Sequence, residues 1–226
     1  MSRGTESLGK TPLFAGLAPE AIRDLDSHCT WRVTPAGEYV IDVHSDARDV
    51  FFVISGHLQI VIPWSGREII FGDLRDGEFV GDLSAIDGER HRAGVRAVVD
   101  TLNARMSAGV FRDAIHRYPV VCDRVLAAIV REFRNLATRT RERIYLGVRE
   151  RLCAELLRLS RTVAGGRVVI SPPPTHVELA ARITTHREAV TKILNALERE
   201  GVIARTRAAI TLLDPDRLRR IAEDEK

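Results

Sequence analysis

Arg187, Glu188, Thr191 and Lys192 have the side-chain types and the spacing to read double-stranded DNA. On a helix these positions share one face, and they sit at its N-terminal end, where a recognition helix meets base edges in a major groove. A planar Arg fork suits the two acceptors of guanine, and Glu suits the cytosine amino group. A second constellation runs from Gly77 to Gly88, with Gly81-Asp82-Leu83 at its centre and the basic cluster Glu89-Arg90-His91-Arg92-Ala93 behind it. Backbone N–H groups and a guanidinium there could hold a phosphate, and Asp82 could accept a sugar hydroxyl. The same composition also suits an ordinary solvated loop. Likewise, a charged helix face can belong to a plain pair of packed helices.

The elements around the first constellation are legible. THVELAARI reads as a helix over Thr175–Arg182, with Val177, Leu179, Ala180 and Ile183 as its apolar positions. Thr184, Thr185 and His186 form a turn. The next helix buries Ala189, Val190, Ile193, Leu194 and Leu197, the pattern of a helix docked on one side. Gly201 stops it, and GVIARTRAAITLL alternates like a hairpin wing. Ahead of them, Gly165-Gly166 and Pro172-Pro173-Pro174 bracket a short strand over Arg167–Ile170, the prolines reading as a rigid turn.

Residues 30–106 are β-prone runs punctuated by turns: 40–41, 50–54, 58–62 and 68–71. Gly37, Gly56, Gly66, Gly72, Gly77 and Gly81 fall between or beside them. This predicts a sandwich, jelly roll or small barrel, preceded by a short helix from Pro19 to about His28. A metal enzyme on such a roll needs converging ligands, whereas His28, His44, His57 and His91 are scattered. From Pro119 to about Ile144 the chain is helix-prone. Cys122, Leu126, Ile129, Phe133, Leu136, Thr140 and Arg143 recur at spacings of four and three, a heptad seam or a helix laid on its own domain.

The 226 residues suffice for two small domains and a connector, and 45% apolar with 29% charged residues argues against wholesale disorder. No apolar run approaches the roughly 20 residues of a membrane span, and MSRGTESLGK has no signal-peptide core. Three dispersed cysteines, Cys29, Cys122 and Cys153, show neither a disulfide framework nor paired metal-ligand spacing, which fits the cytoplasm. The net charge of +3 hides an asymmetry: residues 110–226 carry 23 Lys and Arg against 15 Asp and Glu, and residues 1–109 carry 11 against 16. The basic half is the one with the helix-turn-helix, as a phosphate-binding surface requires.

From about Leu13 to Leu213 the chain resembles the cAMP receptor protein and fumarate–nitrate regulator (CRP/FNR) superfamily of bacterial transcription factors. The marks are Pro35-Ala36-Gly37-Glu38, Phe52-Val53-Ile54-Ser55-Gly56-His57-Leu58, the Gly77–Gly88 segment, a long helix and a C-terminal winged helix-turn-helix. The resemblance implies an α+β fold. It comprises an N-terminal cyclic-nucleotide-binding-type β-roll (double-stranded β-helix) over 1–118, a dimerisation helix over 119–146 and a DNA-binding domain over 147–226.

Gly81-Asp82-Leu83 looks like the family's phosphate-binding cassette, usually Gly-Glu-Leu, and implies control by cAMP or cGMP with no metal. The phosphate-gripping Arg falls on His91, with Arg92 next; a shift of one residue restores Arg92-Ala93 as the pair. The positions that read adenine fall on Leu136-Ala137, with Asn135, Thr138 and Thr140 nearby, so Thr138 and Thr140 are the candidate base contacts. His186-Arg187-Glu188-Ala189-Val190-Thr191-Lys192 matches the family's Ser-Arg-Glu-Thr-Val-x-Arg, with Lys192 in place of Arg. Thr175, His176 and His186 become candidate phosphate contacts. The implied protein is not an enzyme but a homodimer on a palindromic operator with TGTGA-like half-sites, and it meets RNA polymerase if it activates. The alternatives are a member that binds DNA without a nucleotide or senses another effector, and a ligand receptor that binds no DNA. An iron–sulfur sensor is disfavoured for want of an N-terminal cysteine cluster, and haem has only isolated His and Cys candidates.

Overall fold

The computed structural model describes residues 7–64 and 67–223, which divide into two compact units, one up to Glu132 and one from Phe133 onward. In the first, two 3₁₀ turns (Leu8–Lys10 and Pro12–Phe14) lead into α1 (Pro19–Ser27). The strands β1 (Cys29–Thr34), β2 (Tyr39–Ile41), β3 (Val50–Ser55), β4 (His57–Trp64), β5 (Arg67–Arg75) and β6 (Phe79–Val80) follow. Next come α2 (Asp82–Asp87), β7 (Gly94–Ala97), β8 (Thr101–Met106), α3 (Ala108–Arg117) and α4 (Pro119–Tyr145), which runs on into the second unit.

The strands pair antiparallel in two four-stranded sheets, ordered β1-β8-β3-β6 and β2-β7-β4-β5. The four β-prone runs all fall within β2 to β5. At the β3–β4 turn Gly56 adopts φ +129, and a Cβ there would stand 2.8 Å from the Thr101 backbone, so only glycine fits. Gly72 is not a turn residue: it lies inside β5 opposite Ile60, next to a register shift between Ile60 and Val61. Gly66 lies outside the described residues.

Phe14, Phe52, Met106 and Phe111 are fully buried in one cluster, with the Phe14 and Phe52 rings 5.4 Å apart. A second cluster, with Val53 and Leu58 buried inside it, draws on both sheets. Burying one such side chain stabilises by roughly 1.5–3 kcal/mol.

α4 has two apolar faces, which the single expected seam had merged. Val121 and Val125 are buried against the roll's core, with Ile129 packed beside them. The outward stripe at strict four–three spacing is Leu126, Val130, Phe133, Ala137, Thr140 and Ile144, all exposed. Of the expected seam, Leu126, Phe133, Leu136, Thr140 and Arg143 are exposed, whereas Cys122 and Ile129 are partly buried and leave it, and Val130, Ala137 and Ile144 join the exposed side.

In the second unit α5 (Val148–Leu159) precedes β9 (Arg161–Thr162), β10 (Val168–Ile170), α6 (His176–Ile183) and α7 (Arg187–Arg199). The hairpin β11 (Ile203–Arg205) and β12 (Ile210–Leu212) joins β10 and β9 in the order β11-β12-β10-β9, and α8 (Pro215–Ala222) closes the unit. Leu152, Leu156, Leu179, Val190, Leu194 and Leu197 are fully buried in its core. Val177, expected on the apolar side of α6, is 59% exposed because it sits in the first turn, ahead of the core. The turn between α6 and α7 holds Thr184 at φ 54, a left-handed conformation that costs a β-branched residue about 1–2 kcal/mol.

Candidate effector pocket and nucleic-acid interface

The candidate pocket of the roll grows from one turn. β6 ends at Val80, and Gly81 takes φ +98 to start α2. A Cβ on Gly81 would collide with the Asp49 carbonyl oxygen and stand 3.1 Å from His91 Cε1, so this backbone approach needs glycine. Asp82 opens α2 half-buried, while Leu83 beside it faces solvent. Burial pushes the Asp82 carboxyl above its usual range. Hydrogen bonds from the backbone N–H groups of Asp82 and Leu83 oppose the shift, and the negative charge of Glu132 on α4 adds to it.

Of the two residues at the phosphate-gripping position, His91 lies against this turn and Arg92 does not. His91 is buried, and its Nε2 has no hydrogen-bond partner among the described residues. Burial lowers its pKa, Asp49 works against that, and Arg48 works with it. The ring is thus held toward its neutral form. Arg92 projects into solvent with 87% of its side chain exposed, 4.0 Å from Glu89, and Ala93 is half-buried. The guanidinium felt by His91 is that of Arg48, whose Nε donates to Gly88 O and whose Nη1 donates to Asp46 O at 3.2 Å. Thr138 and Thr140 belong to the second unit and are exposed on α4.

A carboxyl whose folded-state pKa is raised stabilises the fold in its protonated form. That share is complete below the unfolded value, about 3.9 for Asp, and is lost as pH rises through the folded value. Asp82→Asn is therefore expected to raise the melting temperature at pH 7, with the gain fading as pH falls toward 4. A melting curve that moves down at pH 7 would show that Asp82 ionises there at no cost.

The candidate nucleic-acid face is built on α6 and α7. Thr175 caps α6: its Oγ1 accepts from Glu178 N at 3.2 Å, and Glu178 Oε2 accepts from Thr175 N at 2.6 Å. Thr191 Oγ1 donates to Arg187 O at 3.0 Å, so it accepts from His176 Nδ1 at 2.7 Å. Burial lowers the His176 pKa, and Arg205 and Arg187 add to the effect. The His176–Thr191 bond thus ties the two helices together, while Thr175 is engaged within α6. Arg187, Glu188 and Lys192 stand exposed on the outer face of α7, and His186, also exposed, is its N-cap residue.

The hairpin is clamped to this helix: Arg205 Nη2 donates to Asn195 Oδ1 at 2.6 Å, and Arg205 Nε donates to Glu198 Oε2 at 3.1 Å. Arg207 at the exposed hairpin tip is a further candidate phosphate contact. Its signal was present in the sequence as a basic residue in the middle of the alternating segment 201–213. Among the described residues no group of three or more His, Cys, Asp or Glu is placed to hold a metal ion, and no helix is long and apolar enough to cross a membrane.

Comparison with known proteins agrees with this layout. Residues 31–118 match the cyclic nucleotide-binding domain, and residues 150–221 match the Crp-like helix-turn-helix domain. A cyclic AMP receptor protein from Thermus thermophilus is 30% identical over 194 residues, 85% of this chain and 88% of that protein. The cAMP-activated global transcriptional regulator CRP of Escherichia coli O157:H7 is 26% identical over 79% of this chain and 87% of its own length. Among solved structures, a CooA mutant from Carboxydothermus hydrogenoformans superposes with a TM-score of 0.76, covering 87% of this chain and 88% of that one at 17% identity.

Proposed function

The chain belongs to the CRP/FNR family of transcription factors, and from that footing we propose a homodimeric regulator whose hold on a palindromic operator is switched by a small molecule in the β-roll. The observation that carries the reading is the outer face of α7. Arg187, Glu188 and Lys192 are exposed there, on a helix whose Val190, Leu194 and Leu197 are wholly buried. A helix fixed from behind with its polar N-terminal side bare is what base reading requires. Two copies joined along Leu126, Val130, Phe133, Ala137, Thr140 and Ile144 would meet TGTGA-like half-sites about one helical turn, roughly 34 Å, apart. Lys192 in place of Arg offers no planar fork, so its base position is read less strictly. The cytoplasm is the proposed setting, and RNA polymerase is the further partner if the protein activates.

Two readings of the effector stand. The domain match and Gly81-Asp82-Leu83 support cAMP or cGMP. The surroundings of Asp82 favour the other, an effector that is not a cyclic phosphate. The ring set against Gly81 is a histidine held toward neutrality, and the charge that α4 brings to bear on Asp82 is a carboxylate, Glu132. A cyclic phosphate entering there meets a carboxylate and a weak, pH-dependent anion partner, and the nearby Arg48 guanidinium is already engaged by Gly88 O and Asp46 O.

Thermal unfolding of stripped protein with cAMP, cGMP and their linear monophosphates tests this choice. A nucleotide present at a hundred times its dissociation constant adds about 2.7 kcal/mol of stability, several degrees in melting temperature. The expected outcome is no shift with any of the four. A shift with one cyclic nucleotide, absent with its linear form, would return the effector to the cyclic-nucleotide reading and name the base.

A further inference from the structure

Between Tyr145 at the end of α4 and Val148 at the start of α5 stand only Leu146 and Gly147. Two residues outside any helix can make a bend, but they do not hold its angle. Apolar packing does not hold it either. The core of the second unit draws on α5, α6, α7, α8 and the sheet, and among the described residues it includes none from α4.

The ties across the bend are polar. Arg151 Nη1 donates to Leu146 O at 2.9 Å. Glu142 on α4 accepts from Arg158 Nη2 on α5 at 2.8 and 2.9 Å, one bond to each carboxylate oxygen. Arg158 Nη1 donates in turn to Glu155, and Glu155 faces Arg182 Nη1 on α6 at 3.5 Å. Glu155 is 3% exposed and the Arg182 side chain 8%, so the far end of this relay lies inside the fold. Charged groups withdrawn from water add little net stability, but they tolerate few arrangements, because any other leaves a charge without its partner. Arg139, Arg143 and Arg151 line the same cleft as Glu142, Glu155, Arg158 and Arg182, five guanidinium groups against two carboxylates. Removing Glu142 leaves an excess of like charge that drives α4 and α5 apart.

We propose that the Glu142–Arg158–Glu155–Arg182 relay sets the angle at which the DNA-reading module leaves the long helix, and with it the operator spacing that the dimer accepts. The inference rests on the homodimer reading. Glu142 and Arg158 are positioning residues here: neither belongs to the face that meets DNA.

In the test, the wild-type protein selects its palindrome from a random DNA pool. Affinity is then measured on that palindrome, on one with its half-sites moved one base pair apart, and on a single half-site. Wild type and Glu142→Ala are compared, with sedimentation reporting the oligomeric state. The expected Glu142→Ala protein is a dimer that holds the single half-site within twofold of wild type, while its preference for the native spacing falls at least tenfold. Glu142→Asp restores part of that preference. Adding Arg158→Met to Glu142→Ala takes one guanidinium from the cleft and eases the repulsion, yet restores no spacing preference, because the tie from α4 to α5 stays cut.

A dimeric Glu142→Ala with its spacing preference intact overturns the proposal. So does an equal loss on all three DNAs, which would mark a role in stability alone. A monomeric wild type overturns the homodimer reading and this inference with it.

Discussion

Arg187→Ala is expected to weaken binding to the operator by about 1–3 kcal/mol, roughly 5- to 150-fold, and to relax the choice at one base pair while leaving binding to random DNA nearly unchanged. Arg187 is the first residue of α7, exposed on a helix that is anchored by three buried side chains. A guanidinium so placed can offer two parallel N–H bonds to guanine O6 and N7, and truncation removes both. A residue that only neutralises phosphate acts differently: its loss weakens every sequence alike and reduces the salt dependence of binding. Titrating the operator, single-base variants of it and random DNA across a range of salt concentrations separates the two roles. Equal loss on all of them would demote Arg187 to a backbone contact. Thr191→Ala gives a useful contrast. Its hydroxyl joins His176 to Arg187 O within the protein, so its removal should act on all DNA by loosening α6 against α7.

Phe133→Glu is expected to convert the protein to a monomer and to cut its apparent operator affinity by two to four orders of magnitude. Phe133 is 71% exposed and belongs to none of the buried clusters, so its replacement spares the fold of either unit. In a parallel pair of α4 helices two such rings would meet across the seam, each contributing roughly 1.5–3 kcal/mol on burial. Glutamate forfeits that contribution and sets two like charges against each other. DNA affinity then falls because a monomer holds one half-site, without the 10²- to 10⁴-fold gain of joined sites. Sedimentation and operator titration on one sample read both effects. A Phe133→Glu protein that stays dimeric and binds as wild type would move the dimer interface off this stripe. Cys122→Ser gives the contrast: spacing puts Cys122 in the seam, yet it is partly buried and off the outward stripe, so its change should leave assembly untouched.

The helices α1, α4, α6 and α7, the strands β2 to β5 and β10, and the hairpin are legible in the chain because their signal is local, whereas β1, β6 to β9, α3, α5 and α8 do not stand out in it. Helical periodicity marked α6 and α7, β-prone runs marked β3 and β4, alternation marked the hairpin, and Gly37, Gly56 and Gly77 marked turns that need positive φ. Gly72 misled because a glycine beside a register shift in a strand reads like one in a turn. The candidate DNA face is equally plain, since Arg187, Glu188, Thr191 and Lys192 lie within six positions of one another on one helix and their side of it lies opposite the apolar one.

The chain alone thus carries its family, its main helices and strands, and the candidate DNA-reading edge, each written in residues a few positions apart. The tertiary structure alone decided which of His91 and Arg92 lies against Gly81 and which apolar stripe of α4 is left outside. It also decided which residues of the DNA edge are held within the protein, and that Glu142 reaches through Arg158 and Glu155 to Arg182. Each of these depends on burial and on side chains brought together from segments far apart in the chain. Spacing along a chain records which side of one helix is apolar, but not which distant segment comes to lie against it.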